Sequence, residues 1–326
     1  MPGGAAPLAR ELAAWPRLAS VSRAQVQLHA AVVLAGFTAV LGELITVAAL
    51  PLVWWRVLIA ALSFVPLVVW WRGARLPLRL RDPATGSAST AVKLLGVGVL
   101  VGLHWVTFYG SVKLANASVA LVCFALVSPL TAALEPLLLP GRRFDAGEFA
   151  LGCLVLPGML LVVGVLDAGY YAGFAVGVLS AVLAAVFGTL NKRFVDRVRT
   201  VDLSLLEMAG AWASLSVLFP VLAQADLGGG GAFWPTPRDW SYLLLLALAC
   251  TTLAYVLVTD ALRSLSAFTV NLAYGLEPVY GILLAAALLG QHAELSGGFY
   301  AGAALIALAV VAHALLGRRR RRRVAS

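Results

Sequence analysis

The chain has 326 residues, of which 61% are hydrophobic and 12% are charged, and its formal net charge is +9. Because soluble domains carry about 25% charged residues, this composition excludes an ordinary soluble domain and indicates a membrane protein. The positive charge does not indicate nucleic-acid binding, since the arginines are scattered over loops with no DNA- or RNA-reading motif around them.

Ten apolar segments follow one another along the chain, each about long enough, at roughly 20 residues, to cross a bilayer as a helix. In chain order they are 26–46, 48–71, 91–112, 117–140, 147–166, 172–191, 203–223, 240–261, 267–289 and 297–317. The residues before the first segment do not form a signal peptide, because the apolar stretch after them is too long and lacks a clear small-residue cleavage site. We therefore expect the first segment to remain as a membrane anchor.

The lysines and arginines alternate between the gaps that separate these segments. Counted from a cytoplasmic N-terminus, 21 of the 24 fall in the two termini and in every second loop, all on the inner side. The outer side carries only Lys113 and Arg238, and Arg56 lies inside the second segment. Positive residues in short loops stay cytoplasmic during insertion. The pattern therefore predicts ten crossings of the cytoplasmic membrane with both termini in the cytoplasm.

The two halves of the chain share a pattern of prolines and glycines. Pro129 and Gly141 recur as Pro278 and Gly290 at an offset of 149 residues. Since each half crosses the membrane five times, the second half enters from the opposite face. Inverted repeats of this kind support alternating access in many secondary transporters, with kinked helices around a site near the midplane. We therefore predict helix kinks at both prolines; chance likeness between apolar sequences is the alternative explanation.

The motifs that carry this pattern resemble the drug/metabolite transporter superfamily, and more narrowly its EamA-type ten-helix members, over about residues 30 to 316. They are Arg56, Ser128-Pro129 with Leu134-Glu135-Pro136, Gly188 to Arg193, and Leu276-Glu277-Pro278. The family commonly continues Gly-Glu after the ninth segment, whereas this chain has Gly290-Gln291, so the role of that acid is in doubt. The resemblance implies transport of a small metabolite, amino acids among them, often outward.

The resemblance and the charge pattern together predict the domain organisation. The predicted parts are a cytoplasmic tail (1–25), a first EamA-like five-helix repeat (26–168), a second such repeat (169–317) and a basic cytoplasmic tail (318–326). We expect an all-α polytopic membrane protein that works as a monomer or a homodimer. Its expected partners are a small-molecule substrate, membrane lipid and, as a candidate coupling ion, a proton, with no nucleic acid.

Enzymatic activity is not expected from this sequence. The four histidines are dispersed, and no pair has metal-ligand spacing. The three cysteines lie within apolar segments, where neither a disulfide nor a metal site is expected. We therefore predict no catalytic residue, no metal and no cofactor. A channel-like or facilitative permease is the alternative function, followed by an integral membrane enzyme.

Two charged side chains lie deep within the predicted helices. At about 1.5 Å of rise per residue, Arg56 lies roughly 12 Å below the outer face, and Glu277 lies roughly 15 Å in, near the midplane. A charge at this depth costs about 2.5–3.5 kcal/mol on the insertion scale, so it faces a cavity or a partner. Arg56 is suited to bind a substrate carboxylate in a bidentate fork, and Glu277 to bind a proton or an ammonium group. Alternatively, Arg56 is a structural partner of Glu135, Glu277 or Glu43, and a permanent pair with Glu277 holds helices together.

The third segment carries the ring-bearing run His104 to Tyr109. His104 and Phe108, and likewise Trp105 and Tyr109, are four residues apart and form two adjacent aromatic faces. One face is suited to line a pocket that stacks on a planar substrate or attracts a cation. His104 and Trp105 are too deep for an interfacial aromatic belt. For His104, a hydrogen-bonded packing role is the alternative.

Other polar residues complete the predicted site. Glu135 shares a helix face with Ser128 and suits an inner gate as well as a site, whereas Glu207, four residues into its segment, is expected close to the inner surface. Glu135 and Glu277 are the candidate coupling or gating residues. We assign substrate binding to Arg56, His104, Trp105, Tyr109, Ser128, Trp212, Tyr274 and Glu277.

Overall fold

A computed structural model describes residues 5–72, 89–163, 170–224, 232–289 and 297–325. All regular secondary structure within these ranges is helical. The helices are α1 (Ala5–Leu44), α2 (Ala49–Arg72), α3 (Ser89–Leu114), α4 (Ala117–Phe124), α5 (Val127–Leu138), α6 (Ala146–Val163), α7 (Tyr171–Phe194), α8 (Thr200–Leu222), α9 (Pro237–Ala247), α10 (Ala254–Ala261), α11 (Ala267–Tyr274), α12 (Glu277–Leu289) and α13 (Gly297–Ala325), with a π-helical stretch, Leu248–Leu253, between α9 and α10.

Helices occupy all ten apolar segments of the sequence. Helices α4 and α5 share the fourth segment, α11 and α12 share the ninth, and α9, the π-helical stretch and α10 share the eighth. Seven of the described helical stretches are long and apolar enough to cross a membrane, and Ala146–Leu161 and Tyr300–His313 are shorter apolar helices. The prediction of an all-α membrane protein is confirmed for the described residues, while the count of ten crossings stays a prediction.

Both predicted tails are partly helical. Helix α1 begins at Ala5, within the predicted N-terminal tail, and α13 continues to Ala325, through the basic C-terminal run. The predicted boundary between the repeats, at residues 168–169, lies outside the described residues, as do Gly290 and Gln291.

The helix pair α4–α5 recurs as the pair α11–α12. Helices α4 and α11 have eight residues each, and their boundaries differ by a constant 150 positions. Asn116 caps α4 by accepting a hydrogen bond from the backbone of Val119, and Ser266 caps α11 in the same way from Thr269. The structural repeat is therefore one residue out of register with the proline offset of 149.

The prolines lie just after the two helix breaks. Pro129 is in the first turn of α5 and Pro278 is in the first turn of α12, where a missing N–H costs least. Each break is a tightened turn, in which Leu126 donates to the Cys123 carbonyl at 3.1 Å and Leu276 to the Ala273 carbonyl at 3.0 Å. A new helix thus begins next to each break, with the proline in its first turn, and the fourth and ninth segments are interrupted at matching points.

The two halves pack against each other through close backbone approaches. Helix α3 packs on α7 and α8, α1 on α10 and α12, and α6 on α13. A Cβ on Gly98 of α3 would lie 2.2 Å from the Glu207 carbonyl oxygen, and a Cβ on Gly36 of α1 would lie 2.9 Å from the Gly281 nitrogen. Only glycine permits such contacts, which bring helices of opposite halves together.

We predict that Gly98→Ala destabilises the protein. The new methyl group would overlap the Glu207 carbonyl, and overpacking of this kind costs about 1–3 kcal/mol. Gly96→Ala is the matched control, because a Cβ at Gly96 meets nothing within 4 Å and alanine favours a helix over glycine by about 0.5–1 kcal/mol. Thermal unfolding in detergent should place Gly98→Ala below the wild type and Gly96→Ala at or above it. Equal melting temperatures for the two variants would contradict the tight α3–α8 contact.

Candidate functional site

A cavity of about 130 Å³ lies between the two halves of the bundle. It is bounded by α1 to α4 on one side and by α7, the π-helical stretch and α10 to α12 on the other. From the first half its lining residues are Ala35, Thr38, Arg56, His104, Trp105, Phe108 and Phe124. From the second half they are Ala184, Phe187, Gly188, Asn191, Cys250, Thr251, Ala254, Tyr255, Val258, Thr259, Leu262, Ala267, Val270, Asn271, Tyr274 and Glu277.

Arg56 of α2 is the positive charge on this cavity, with only 4% of its surface exposed. Its Nε donates to Thr251 Oγ1 at 2.7 Å, and a terminal nitrogen donates to the Tyr109 hydroxyl at 2.9 Å. The guanidinium carbon lies 4.0 Å from the ring centroid of Trp105, in a cation–π arrangement. These neutral partners use two of the five N–H donors of the guanidinium, so donors remain for a further acceptor.

The π-helical stretch positions Thr251 for this contact. Thr251 Oγ1 donates to the Leu246 carbonyl at 2.7 Å, and Thr252 Oγ1 donates to the Ala247 carbonyl at 2.9 Å, each five residues back. Both hydroxyls thus bond to carbonyls of the preceding turn. Such π-bulges occur often at functional sites, and here the bulge places the Thr251 oxygen against Arg56.

Glu277, the first residue of α12, is the acidic group on the cavity wall, with 4% of its surface exposed. Its Oε1 accepts from Thr38 Oγ1 at 3.3 Å, and Arg56 lines the same cavity. Within the described part of the chain, however, neither residue forms an ion pair closer than 4 Å. The two charges therefore face one cavity without the direct pairing that a purely structural role would require.

Aromatic rings form much of the remaining wall. Trp105 packs edge-on against Tyr255, with ring centroids 6.4 Å apart. Phe124 and Tyr274 end α4 and α11, occupy equivalent positions in the two halves, and meet at 6.2 Å. The two helix breaks thus bring their last side chains together on the cavity. These rings give an apolar group a surface to pack against.

His104 is anchored to the opposite half of the bundle. Its Nδ1 lies 3.0 Å from the Ser180 carbonyl and 2.8 Å from Ser180 Oγ, which donates to the His104 carbonyl at 3.1 Å. The ring packs against Phe124 and Phe187 while it lines the cavity. His104 therefore combines the predicted position on the site with the hydrogen-bonded packing role that was its alternative.

Three predicted site residues do not line the cavity within the described structure. Tyr109 is fully buried behind Arg56, and Ser128 Oγ donates to the Asn271 carbonyl at 3.1 Å. Trp212 packs on Trp54, at 5.9 Å between ring centroids, because its face of α8 is turned towards α2. Tyr109 and Ser128 support cavity residues from behind, whereas the structure separates Trp212 from the cavity.

Glu135 lies at the end of the bundle where α10 ends and α11 begins. It is 1% exposed, and its Oε1 accepts from the backbone N–H of Phe268, in the first turn of α11, at 3.0 Å. Arg142 donates to the other oxygen at 2.6 Å and to Glu148 at 2.7 Å. Partial burial disfavours the Arg142 charge, but the two carboxylates outweigh it and raise its pKa. Glu135 thus ties α5 of the first half to α11 of the second.

The opposite end of the bundle has its own contact between the halves. Asp239, in the first turn of α9, accepts from the backbone nitrogen and the hydroxyl of Thr46, both at 2.7 Å. Next to it, Trp55 Nε1 donates to the Phe233 carbonyl at 3.0 Å. The cavity therefore lies between two closures, each made by polar contacts that cross from one half to the other.

Several residues that line the cavity were not among the site residues predicted from the sequence. Thr38, Thr251, Asn191, Asn271 and Tyr255 all line the cavity. Amides and hydroxyls within apolar segments are a signal that could have found them, since hydrocarbon offers such groups no partner. Glu207, expected close to the inner membrane surface, is 0% exposed and packs between helices; its burial within the bundle was not predicted.

The long apolar helices and the cavity between two matching halves define an integral membrane protein with a polar interior. Residues 24–164 and 171–313 each match the model of the EamA-like transporter family, and the chain belongs to that family. It is a multi-pass membrane transporter of the drug/metabolite type, as the resemblance implied, and the family is one of transporters rather than enzymes.

No curated protein sequence matches the chain. One solved crystal structure aligns with a TM-score of 0.69 over 91% of this chain and 98% of that chain, with 22% identical residues. At this level of identity the likeness shows a shared fold.

We predict that Glu135→Gln is less stable than the wild type and that Glu135→Leu is less stable still. Glu135→Gln keeps an oxygen for the Phe268 N–H but loses the charge that pairs with Arg142, whereas Glu135→Leu loses both contacts. Hydrogen bonds to charged groups contribute about 1.5–3 kcal/mol each. Thermal unfolding should therefore rank wild type above Glu135→Gln and Glu135→Leu lowest.

Glu148→Gln is the control for this series, because Glu148 contacts Arg142 but not α11 within the described residues. Glu148→Gln should lower the melting temperature less than Glu135→Leu does. A Leu variant as stable as the wild type would show that the α5–α11 contact contributes nothing.

Proposed function

We propose that this chain is a secondary active transporter that moves a small zwitterionic metabolite, such as an amino acid, out of the cell by alternating access. Its ten segments would cross the cytoplasmic membrane with both termini inside, as two inverted five-helix repeats. The alternation of basic loops supports this orientation, and the matching breaks of α4–α5 and α11–α12 support the repeat.

The observation that carries the proposal is the buried guanidinium of Arg56. It borders a cavity, has no ion-pair partner among the described residues and retains free donors. A buried charge is stable only when it is well solvated or paired. A substrate carboxylate would supply the missing negative charge and two parallel acceptors.

The cavity also has groups that suit the ammonium group and the side chain of a zwitterion. Glu277 would receive the ammonium group, or a coupling proton, while the substrate side chain rests on Trp105, Phe124 and Tyr274. Opposite charges on one small cavity favour a ligand that carries both signs, since each ionic group would then find a partner. The cavity volume of about 130 Å³ favours a small ligand.

The two closures support a rocking mechanism. The Thr46–Asp239 contact and the Glu135–Phe268 contact join the same two halves at opposite ends of the bundle. If one closure opens while the other holds, the cavity reaches one side of the membrane at a time, as alternating access requires. In the proposed topology, the Glu135 closure is cytoplasmic. A channel would instead need a continuous path and would not saturate.

The binding site is tested by a thermal-shift screen of the purified protein against amino acids and related metabolites. A ligand at 100 times its dissociation constant stabilises the protein by about 2.7 kcal/mol. Arg56→Ala and Glu277→Gln should weaken binding by roughly 10- to 100-fold, because each removes a charge-assisted contact.

The matched controls for the screen are Arg238→Ala and Glu43→Gln, at exposed positions away from the cavity. They should bind like the wild type. If Arg56→Ala and Glu277→Gln keep the wild-type shift for every ligand that stabilises the protein, the site is wrong. Saturable counterflow of that ligand in proteoliposomes then distinguishes a carrier from a channel.

The topology is tested by labelling single cysteines in a background without Cys123, Cys153 and Cys250. Cysteines at the exposed positions 143 and 197 should react with an impermeant reagent from the cytoplasmic side, and a cysteine at position 238 from the opposite side. Reaction of positions 143 and 197 from different sides would exclude the inverted five-helix repeat.

A further inference from the structure

Glu207 of α8 is a buried acid that the proposed substrate site does not use. It is 0% exposed and does not line the cavity. Its Oε2 accepts hydrogen bonds from the Tyr255 hydroxyl and from Asn191 Nδ2, the latter at 3.2 Å. Both donors belong to the cavity wall, Asn191 on α7 and Tyr255 on α10. Glu207 is therefore separated from the cavity by one layer of side chains.

No basic side chain neutralises Glu207 within the described ranges. Helix α8 packs against α2, α3 and α10. On α2, Arg56 is bound to Thr251 and Tyr109; on α3, Lys93 is exposed and Lys113 donates to the Ile45 carbonyl.

The remaining charged groups near this site are engaged elsewhere. On α10, Asp260 pairs with Arg263 at 3.4 Å, and on α7, Lys192 donates to the Leu262 carbonyl. On α8 itself, Asp202 pairs with Arg199 at 3.3 Å. Tyr255 is the titratable group that contacts Glu207. An ionised carboxylate with no counter-charge is costly to bury, so the surroundings favour the neutral acid.

Two buried oxygen atoms in this cluster have no donor. They are Oε1 of Glu207 and Oδ1 of Asn191. Asn191 Nδ2 already donates to the other carboxyl oxygen, so the amide and the carboxyl group lie side by side. A proton on Oε1 would make that atom a donor, and the Asn191 amide oxygen is an acceptor in the same cluster that lacks a donor. One shared proton would therefore satisfy both orphaned atoms.

We propose that Glu207, Asn191 and Tyr255 form a proton-binding site behind the cavity wall. In it, Glu207 is a neutral carboxylic acid that donates from Oε1 to Asn191 Oδ1 and accepts from Asn191 Nδ2, so that acid and amide form a ring of two hydrogen bonds. A sodium ion fits less well, because two free oxygens fall short of the six or more oxygen ligands that hard cations such as calcium take.

The location of this site links the proton to the cavity, an extension that rests on the proposed transport function. A substrate that hydrogen-bonds to the Asn191 amide would draw it away from Glu207. The O–H bond would then lose its acceptor, and the proton would pass to water in the cavity, leaving a carboxylate that Tyr255 still stabilises. Substrate binding would thus promote proton release, and a bound proton would disfavour substrate binding, because both depend on the same amide.

Infrared spectroscopy of the purified protein tests the protonation of Glu207 without any substrate. The wild type at neutral pH should show a protonated-carboxyl carbonyl band, part of which disappears in Glu207→Gln. The amide of this variant keeps the same shape and can donate to Asn191 Oδ1, so folding should survive. Glu135→Gln is the control and should leave the band unchanged, because Glu135 is ion-paired with Arg142.

A second variant, Asn191→Leu, tests the same carboxyl band if Glu207→Gln does not fold. Asn191→Leu removes the acceptor of the acid proton and should shift the same band rather than abolish it. An unchanged band in both variants would overturn the proposal. So would a rise in the melting temperature of the wild type, but not of Glu207→Gln, on addition of sodium ions, since the site would then bind that cation.

Proteoliposomes test the link to transport with a mixture of radiolabelled amino acids. A gradient of one pH unit should drive roughly tenfold accumulation in the wild type if one proton is coupled to one substrate molecule, and Glu207→Gln should lose this accumulation. Equal accumulation in the variant overturns the coupling. Absence of any flux in the wild type overturns the proposed function instead, and the infrared result then still decides whether Glu207 binds a proton.

Discussion

The need to keep a guanidinium group charged inside a membrane bundle governs the architecture around the cavity. Arg56 is held by the Thr251 and Tyr109 hydroxyls and by the face of Trp105. Each of these partners is neutral, so they orient the charge without cancelling it. The π-helical stretch carries Thr251, whose hydroxyl accepts from Arg56. Loss of either hydroxyl would leave a buried donor unsatisfied, which costs more than the bond itself contributes.

The repeat is symmetric in its backbone and asymmetric in its chemistry. The breaks after Phe124 and Tyr274 are equivalent, with matched caps and matched tightened turns. The residue that begins the helix after the break is Val127 in the first half and Glu277 in the second. In the proposed mechanism, the matched breaks would let the two halves exchange conformations, and the single acid would give a zwitterion one preferred orientation in the cavity.

Polar groups in this bundle form two layers around the central space. The inner layer lines the cavity and includes Arg56 and Glu277, while the outer layer places Glu207 behind Asn191 and Tyr255. Because the layers share side chains, a ligand cannot reorganise the first without changing the hydrogen bonds of the second. Acidic side chains also connect the halves at the two closures, Glu135 at one end and Asp239 at the other.

Composition and spacing along the chain were sufficient to predict the membrane class and the helical segments. These properties are local, because helix length and insertion depend on consecutive residues. The sequence did not reveal which side of each helix faces the cavity. A helix that is apolar all round carries no hydrophobic stripe to mark its inner face. Only packing decided that Trp212 turns towards α2, that Glu207 is fully buried, and that Thr251 reaches Arg56.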